Sequence, residues 1–318
     1  MKAQRIPATG FVGSHLVPWL TAHGRKVRVA LRNPADLPSG IESAVIGDIA
    51  DPRNLARALE DVTAVVHCAG VAHASQAIAE ETYDRINREA TLNLAQAAAK
   101  AGVRRFVFLS SIRAQSGPVA QGIMIEARPA QPTDPYGRSK LAAELGLAEL
   151  CSHAVKMDWT ALRPVLVYGP GVKGNMRALL DLARSPWPVP LGMVSAKRSI
   201  LAIGNLCSAI ETVLDATQAL NRPLIVADPL ALSAGEMVAA MRGGMGRRAL
   251  LVPVPEAVLA MMARLAGKGG VVARLTGALE ASPQALLDLG WQPVIPTRAA
   301  LAELARDRFG PTAWRRDA

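Results

Sequence analysis

The sequence predicts an α/β protein: a doubly wound parallel sheet covered by helices on both faces, followed by a smaller mixed lobe. Three observations predict it. Apolar runs of strand length alternate with longer helical patterns up to about residue 170, the alternation that βαβ units produce. The runs are nearly continuous in their apolar character, as strands buried on both faces must be. Beyond that point the chain changes to Pro/Gly-punctuated segments, SPWPVPLG, LLVPVPEA and LGWQPVIP, between short helices.

The elements follow in order. RIPATGFVG (5–13) runs into GSHLVPWL, a turn leading to a helix start. KVRVAL (26–31), SAVIGD (43–48), TAVVHCAG (63–70), RRFVFLSS (104–111) and WTALRPVLVYG (159–169) read as strands. LARALE, YDRINREATLNLAQAAAKAG and YGRSKLAAELGLAEL read as the helices between them. RPLIVADP (222–229) reads as one more strand, returning late to the sheet. The expected division is therefore a first domain over 1–170 with that returning strand, and a lobe over 171–318. EAVLAMMARLAGKGGVVARLTGALE carries Arg264, Lys268 and Arg274, but Gly267 to Gly270 break it into two short pieces. Packing helices of the smaller lobe are the better reading there than an interfacial membrane helix.

Composition narrows the function. The chain has 318 residues, half of them apolar and 19% charged, enough for one large or two smaller packed cores. Cys68, Cys151 and Cys207 show no C-x-x-C spacing, so neither a disulfide framework nor a metal site is expected, and a reducing, cytoplasmic setting fits. The N-terminus has no apolar signal region and no run of about 18 apolar residues occurs, so no transmembrane segment is expected. The net charge of +10 is spread along the chain and aromatics are 4%, which argues against nucleic acid as a partner. A positive field suits an anionic substrate such as a nucleotide diphosphate, and a solvated basic surface accounts for it equally well.

Two places carry chemistry. In YGRSK, Tyr136 and Lys140 stand at i and i+4 on a helix that follows Pro135, a spacing that puts phenol and ammonium on one face. RRFVFLSS ends a strand with Ser110 and Ser111, and parallel sheets present their functional groups at such ends. A phenol titrates near 10, and bringing it to about 7 takes roughly 4 kcal/mol at ~1.36 kcal/mol per unit. A neighbouring lysine and an oxidised nicotinamide are cations of the required kind. The assembled group would exchange a proton with a hydroxyl or carbonyl while a hydride moves.

ATGFVGSHL, GDIAD, VVHCAG, FVFLSS, PYGRSK, LRPVLVYGPG, KRSILAIGNL and LGWQP occur in this order over almost the whole chain. Together they resemble the extended short-chain dehydrogenase/reductases of the NAD-dependent epimerase/dehydratase family, most of which act on nucleotide sugars. The resemblance is strongest to bacterial 4-epimerases and 4-ketoreductases of surface-polysaccharide sugar synthesis. It implies a Rossmann-type sheet with a C-terminal substrate lobe, and leaves room for a homodimer. By the same resemblance Tyr136 is the catalytic acid/base, Lys140 its ribose-binding partner, and Ser111 the contact on the reacting oxygen. Gly10, Phe11, Val12 and Gly13 would lie against the cofactor's pyrophosphate, with Asp48 and Ile49 at the adenine. Cys68, Ala69 and Gly70 would follow the dinucleotide, with Asn87 and Pro164 nearby. Asn175 and Arg198 would hold the diphosphate of the nucleotide-sugar substrate.

The departures from the family pattern are as informative. After the second strand Arg32 replaces the usual acidic residue, and a guanidinium there suits a 2′-phosphate, favouring NADP over NAD. The acidic residue expected after the KRS segment is missing, with Gly204 and Asn205 in its place. The first strand KAQRI would bury Lys2, Gln4 or Arg5, and Pro7 stands where the glycine turn needs flexibility. Pro18 falls inside the following helix. These changes support a second reading, a catalytically silent member that uses the fold for binding or assembly.

Overall fold

The computed structural model describes residues 10–71, 78–152, 156–265 and 277–309. Lys2, Gln4, Arg5 and Pro7, and the pieces around Gly267 to Gly270 and Arg274, lie outside the described residues. The described chain opens with α1 (Gly13–Ala22), β1 (Arg28–Leu31), β2 (Glu42–Val45), α2 (Leu55–Leu59) and β3 (Ala64–His67). α3 (Glu80–Tyr83) runs through a π-helical turn, Asp84–Glu89, into α4 (Ala90–Lys100), and β4 (Arg105–Leu109) follows. Next come the short β5 (Ile123–Met124), α5 (Pro135–Ser152), β6 (Asp158–Pro164), β7 (Leu166–Tyr168) and α6 (Gly174–Arg184). β8 (Lys197–Arg198), β9 (Ile200–Ala202), α7 (Ile203–Asp215), β10 (Arg222–Val226) and β11 (Leu232–Ser233) lead to α8 (Ala234–Gly244) and α9 (Glu256–Leu265). The described chain closes with β12 (Glu280–Ala281), α10 (Gln284–Leu287) and α11 (Thr297–Phe309).

The sheet is parallel, with strand order β10–β6–β4–β3, and β1 and β2 form a second parallel pair. The late strand β10 pairs in register with β6, from Arg222 opposite Thr160 to Val226 opposite Pro164. Phe106, Val107, Phe108, Ala161 and Leu162 are fully buried, because helices cover both faces. Parallel strands with crossover helices bring the C-terminal ends at His67, Leu109 and Pro164 to one edge, where an α/β sheet opens its crevice.

Strands end earlier than the sequence reading has them: TAVVHCAG pairs only to His67 and RPLIVADP only to Val226, and two other ends have a backbone cause. SAVIGD stops pairing at Val45, and Gly47 turns the chain with φ +77°. WTALRPVLVYG divides at Pro164, whose ring nitrogen has no hydrogen to continue the ladder. Beyond it Leu166–Tyr168 pairs with β9 instead. Pro18 lies inside α1, in its second turn.

A second buried cluster joins Tyr168, Met176, Leu180, Ile200, Val238 and Leu301. Asn205, standing where the acidic residue was expected, is buried in this region. Asp228, just past β10, accepts hydrogen bonds from Asn205 Nδ2 at 2.8 Å and the Ala202 amide at 3.3 Å. Burial raises its carboxyl to about 6. Trp291 of LGWQP is buried and donates its indole N–H to Ser208 Oγ at 2.9 Å.

Candidate functional site

α5 positions the site. Its N-terminus is fixed by Asp134, which accepts the Gly137 amide at 2.7 Å and pairs with Arg113, the local satisfaction of free N–H groups that helix starts need. Gly137 has to be glycine, since a Cβ there would stand 2.2 Å from the Arg113 carbonyl oxygen. The close approach brings the turn after β4 onto the first turn of α5, so Ser111 meets Tyr136 and the two hydroxyls hydrogen-bond. Ser111 Oγ also accepts the Arg113 amide at 3.2 Å.

Tyr136 lines the cleft and its ring lies 6.1 Å from that of Tyr83. Burial raises its phenol above the ordinary value, and the bond with Ser111 opposes that rise. Of the nearby charges, Asp134 raises it further and Arg113 lowers it. Lys140, one turn on, is buried and donates to the Leu109 carbonyl at 3.0 Å, with its ammonium 4.5 Å from the centre of the Phe108 ring. Burial lowers its pKa to about 8, while Cys68 and Glu144 act to raise it, so it is still mainly a cation at neutral pH.

The residues named from the sequence converge. Gly10 to Gly13, Arg32, Asp48, Ile49, Cys68 to Gly70, Ser111, Tyr136, Lys140, Pro164, Asn175 and Arg198 all line one cleft. Asn87 stands behind it, in the π-helical turn, a distortion frequent at functional sites. It donates to Val71 O and Ser139 Oγ, both at 3.0 Å, and accepts the Val71 amide at 2.9 Å. Arg32 and Asp48 form an exposed pair at 2.9 Å. Arg198 donates to the carbonyls of Gly277 at 2.5 Å and Pro118 at 2.9 Å. Burial, then the proximity of Arg113, lowers its pKa, so this end of the cleft gathers cations. Asn175 is the second residue of α6, behind an extended Lys173.

A dinucleotide fits these residues. Gly70 lines the cleft with no side chain and lets Asn87 and Lys140 pack against its backbone, since a Cβ there would stand 2.8 Å from Asn87 Oδ1 and 3.3 Å from Lys140 Nζ. Lys140 has one acceptor among the described residues and three N–H groups to place. The first turn of α1 holds no acidic residue and no side-chain cap, which suits an approaching anion.

Sequence reading missed three side chains around this site. Arg113 bridges Ser111 to the start of α5. Asp134 caps that helix, a role its position three residues before Gly137 signals. Glu144 continues the Tyr136–Lys140 face by one more turn. It accepts Ser110 Oγ at 2.5 Å and pairs with Arg163 at 2.5 Å, and all three are buried.

Residues 8–226 match the family model for the NAD-dependent epimerase/dehydratase family. The chain belongs to that family. It is 35% identical over 293 residues to a UDP-glucose 4-epimerase of Vibrio cholerae, covering 90% of this chain and 89% of that protein. Among solved structures, MoeE5 in complex with UDP-glucose and NAD superposes with a TM-score of 0.72 at 27% identity, over 98% of this chain and 97% of that one. A UDP-glucuronic acid 4-epimerase from Bacillus cereus in complex with NAD shares the fold, with a TM-score of 0.72 at 17% identity, over 97% of each chain. The family consists of NAD-dependent enzymes on a Rossmann fold, and the chain is an enzyme of this kind.

Proposed function

We propose that this family member works at C4 of a UDP-sugar, as a 4-epimerase or a 4-ketoreductase. The observation that carries the reading is the meeting of Ser111, Tyr136 and Lys140 in one cleft that the glycines Gly10, Gly13 and Gly70 also line. Bound there, a nicotinamide dinucleotide supplies a site that takes or gives hydride. Tyr136 would exchange the proton of the C4 oxygen, and Ser111, already bonded to its hydroxyl, would hold that oxygen in line. Lys140 would spend its remaining N–H groups on the ribose. A cationic cofactor ring and Lys140 would then work against the burial that keeps the phenol protonated.

Gly10 to Gly13 would face the pyrophosphate, Asp48 and Ile49 the adenine, and Asn175 with Arg198 the sugar diphosphate. Arg32 would exchange its pairing with Asp48 for a 2′-phosphate, favouring NADP. The same reading assigns the cleft's sugar half to the lobe beyond residue 170, and includes a cytoplasmic setting and a homodimer.

The test is turnover by the full chain, with UDP-glucose and UDP-N-acetylglucosamine in epimerisation and a UDP-4-ketosugar with NADPH in reduction. Conversion of one of them supports the reading. Dinucleotide binding without turnover of any would favour the silent member.

A further inference from the structure

Two proline-rich segments lie side by side outside the cleft. Val189 and Leu251 form a parallel bridge. Val189 donates to Leu250 O, Val252 to Val189 O and Gly192 to Val252 O, each at 2.9 Å. Contact is close enough that a Cβ on Gly192 would stand 2.9 Å from the Val252 carbonyl. Extended chains alternate their side chains, so Val189 turns inward and is buried while Pro188 and Pro190 turn out, and Leu250 and Val252 turn out on either side of Leu251. Trp187 is 74% exposed, and Met193, Leu250 and Val252 are exposed with it. α9 adds the exposed Val258 and Met261. Leu250 has φ +46°, a conformation that a bulky residue adopts at a cost, and its side chain is left in water.

The face has a cationic rim. Arg184, Arg247 and Arg248 are exposed, and Arg247 donates to the Arg184 carbonyl, which brings the two together. Beneath them the buried Arg242 donates to the carbonyls of Ser185, Trp187 and Ala249, tying both segments to α8. Glu256 is the one acidic residue within 184–194 and 247–261, and it is half-buried and accepts the Ser195 amide at 3.3 Å.

We propose that this face docks on the surface of an anionic phospholipid bilayer. Its apolar residues would enter the boundary between headgroups and acyl chains, with Arg247 and Arg248 over the phosphates. An exposed tryptophan on a face edged by arginines suits that boundary, and the net charge of +10 complements an anionic leaflet. A symmetric contact between two copies would set the same arginine rim against itself, so charge favours lipid over self-association. α6 lines the cleft from Asn175 to Leu182 and reaches the rim at Arg184, so the docking face and the cleft are neighbours. The proposal goes beyond the C4 chemistry and does not depend on it.

Co-sedimentation of the full chain with vesicles tests it. One set is phosphatidylcholine alone, and the other contains about one-third phosphatidylglycerol, a surface that attracts basic groups. Binding to the anionic vesicles should be at least about tenfold tighter than to the neutral ones and should weaken with salt. Arg248→Ala should bind about fivefold more weakly, the equivalent of about 1 kcal/mol per basic residue. Trp187→Ala and Leu250→Asn should each weaken binding, and Asn tolerates the left-handed backbone. All three variants should keep the parent's melting temperature and its turnover measured without vesicles. Equal binding to both vesicle types, no binding to either, or variants that bind like the parent would overturn the proposal. So would a change of molecular mass in Trp187→Ala measured without lipid, which would assign the face to a second copy.

Discussion

Gly70→Ala should damage catalysis by displacing groups around the cleft, with no chemical group removed. The new methyl carbon would stand 2.8 Å from Asn87 Oδ1 and 3.3 Å from Lys140 Nζ. Asn87 cannot swing away freely, since three hydrogen bonds of 2.9 to 3.0 Å hold its amide to Val71 and Ser139. Overpacking of this kind costs about 1–3 kcal/mol, and each hydrogen bond loosened adds about 0.5–1.5 kcal/mol. A loss of roughly 2–4 kcal/mol of stability follows. Moving Lys140 by a fraction of an ångström should lower turnover by up to about 100-fold. Gly10→Ala is the contrast, because a Cβ there meets nothing within 4 Å. It should leave the melting temperature unchanged while weakening dinucleotide binding. Thermal melts, calorimetric titration with NAD and steady-state rates separate the two variants. A Gly70→Ala protein as stable and active as its parent would refute the need for glycine against Asn87 and Lys140.

Two further outcomes follow from named pairs. If Arg32 serves a 2′-phosphate, NADPH should bind more tightly than NADH, and Arg32→Ala should remove most of a gap of about 1.5–3 kcal/mol. The exposed Arg32–Asp48 pair that competes is worth at most about 1 kcal/mol, and equal affinity for both dinucleotides in titrations of the parent protein would end this argument. Arg163→Met should strand the buried Glu144 carboxylate and cost about 3–5 kcal/mol in denaturant unfolding, while the double variant Glu144→Gln/Arg163→Met recovers much of the loss. A single variant no less stable than the double would contradict the pairing.

Strands β3, β4, β6 and β10 were legible because burial on both faces leaves a continuous apolar run, a signal that survives in one dimension. Their ends were less so. Gly47 and Pro164 stop the pairing through backbone geometry and a missing N–H, within segments whose hydrophobicity continues. Tyr136 and Lys140 were legible for the opposite reason, since a helix fixes the relation of residues four apart. Glu144 lies on the same helix face, yet its purpose depends on Ser110 and Arg163 from two different strands, and no local pattern records that. Arg113 likewise acquires its role only when Gly137 lets the β4 turn close on α5. The docking face was partly visible as proline-rich segments with a strong basic balance, but the pairing of Val189 with Leu251 that turns Leu250 and Val252 outward is tertiary.

The central claim is that Tyr136 moves the proton in the C4 chemistry, and Tyr136→Phe measured against the parent tests it most directly. The substitution removes one hydroxyl and almost no volume, so the melting temperature should change little and NAD should still bind. Steady-state conversion on whichever UDP-sugar the parent turns over should fall about 100- to 10,000-fold, the usual worth of a positioned acid/base. Full turnover in the phenylalanine variant would contradict the account, because the meeting of Ser111, Tyr136 and Lys140 would then be packing and not chemistry.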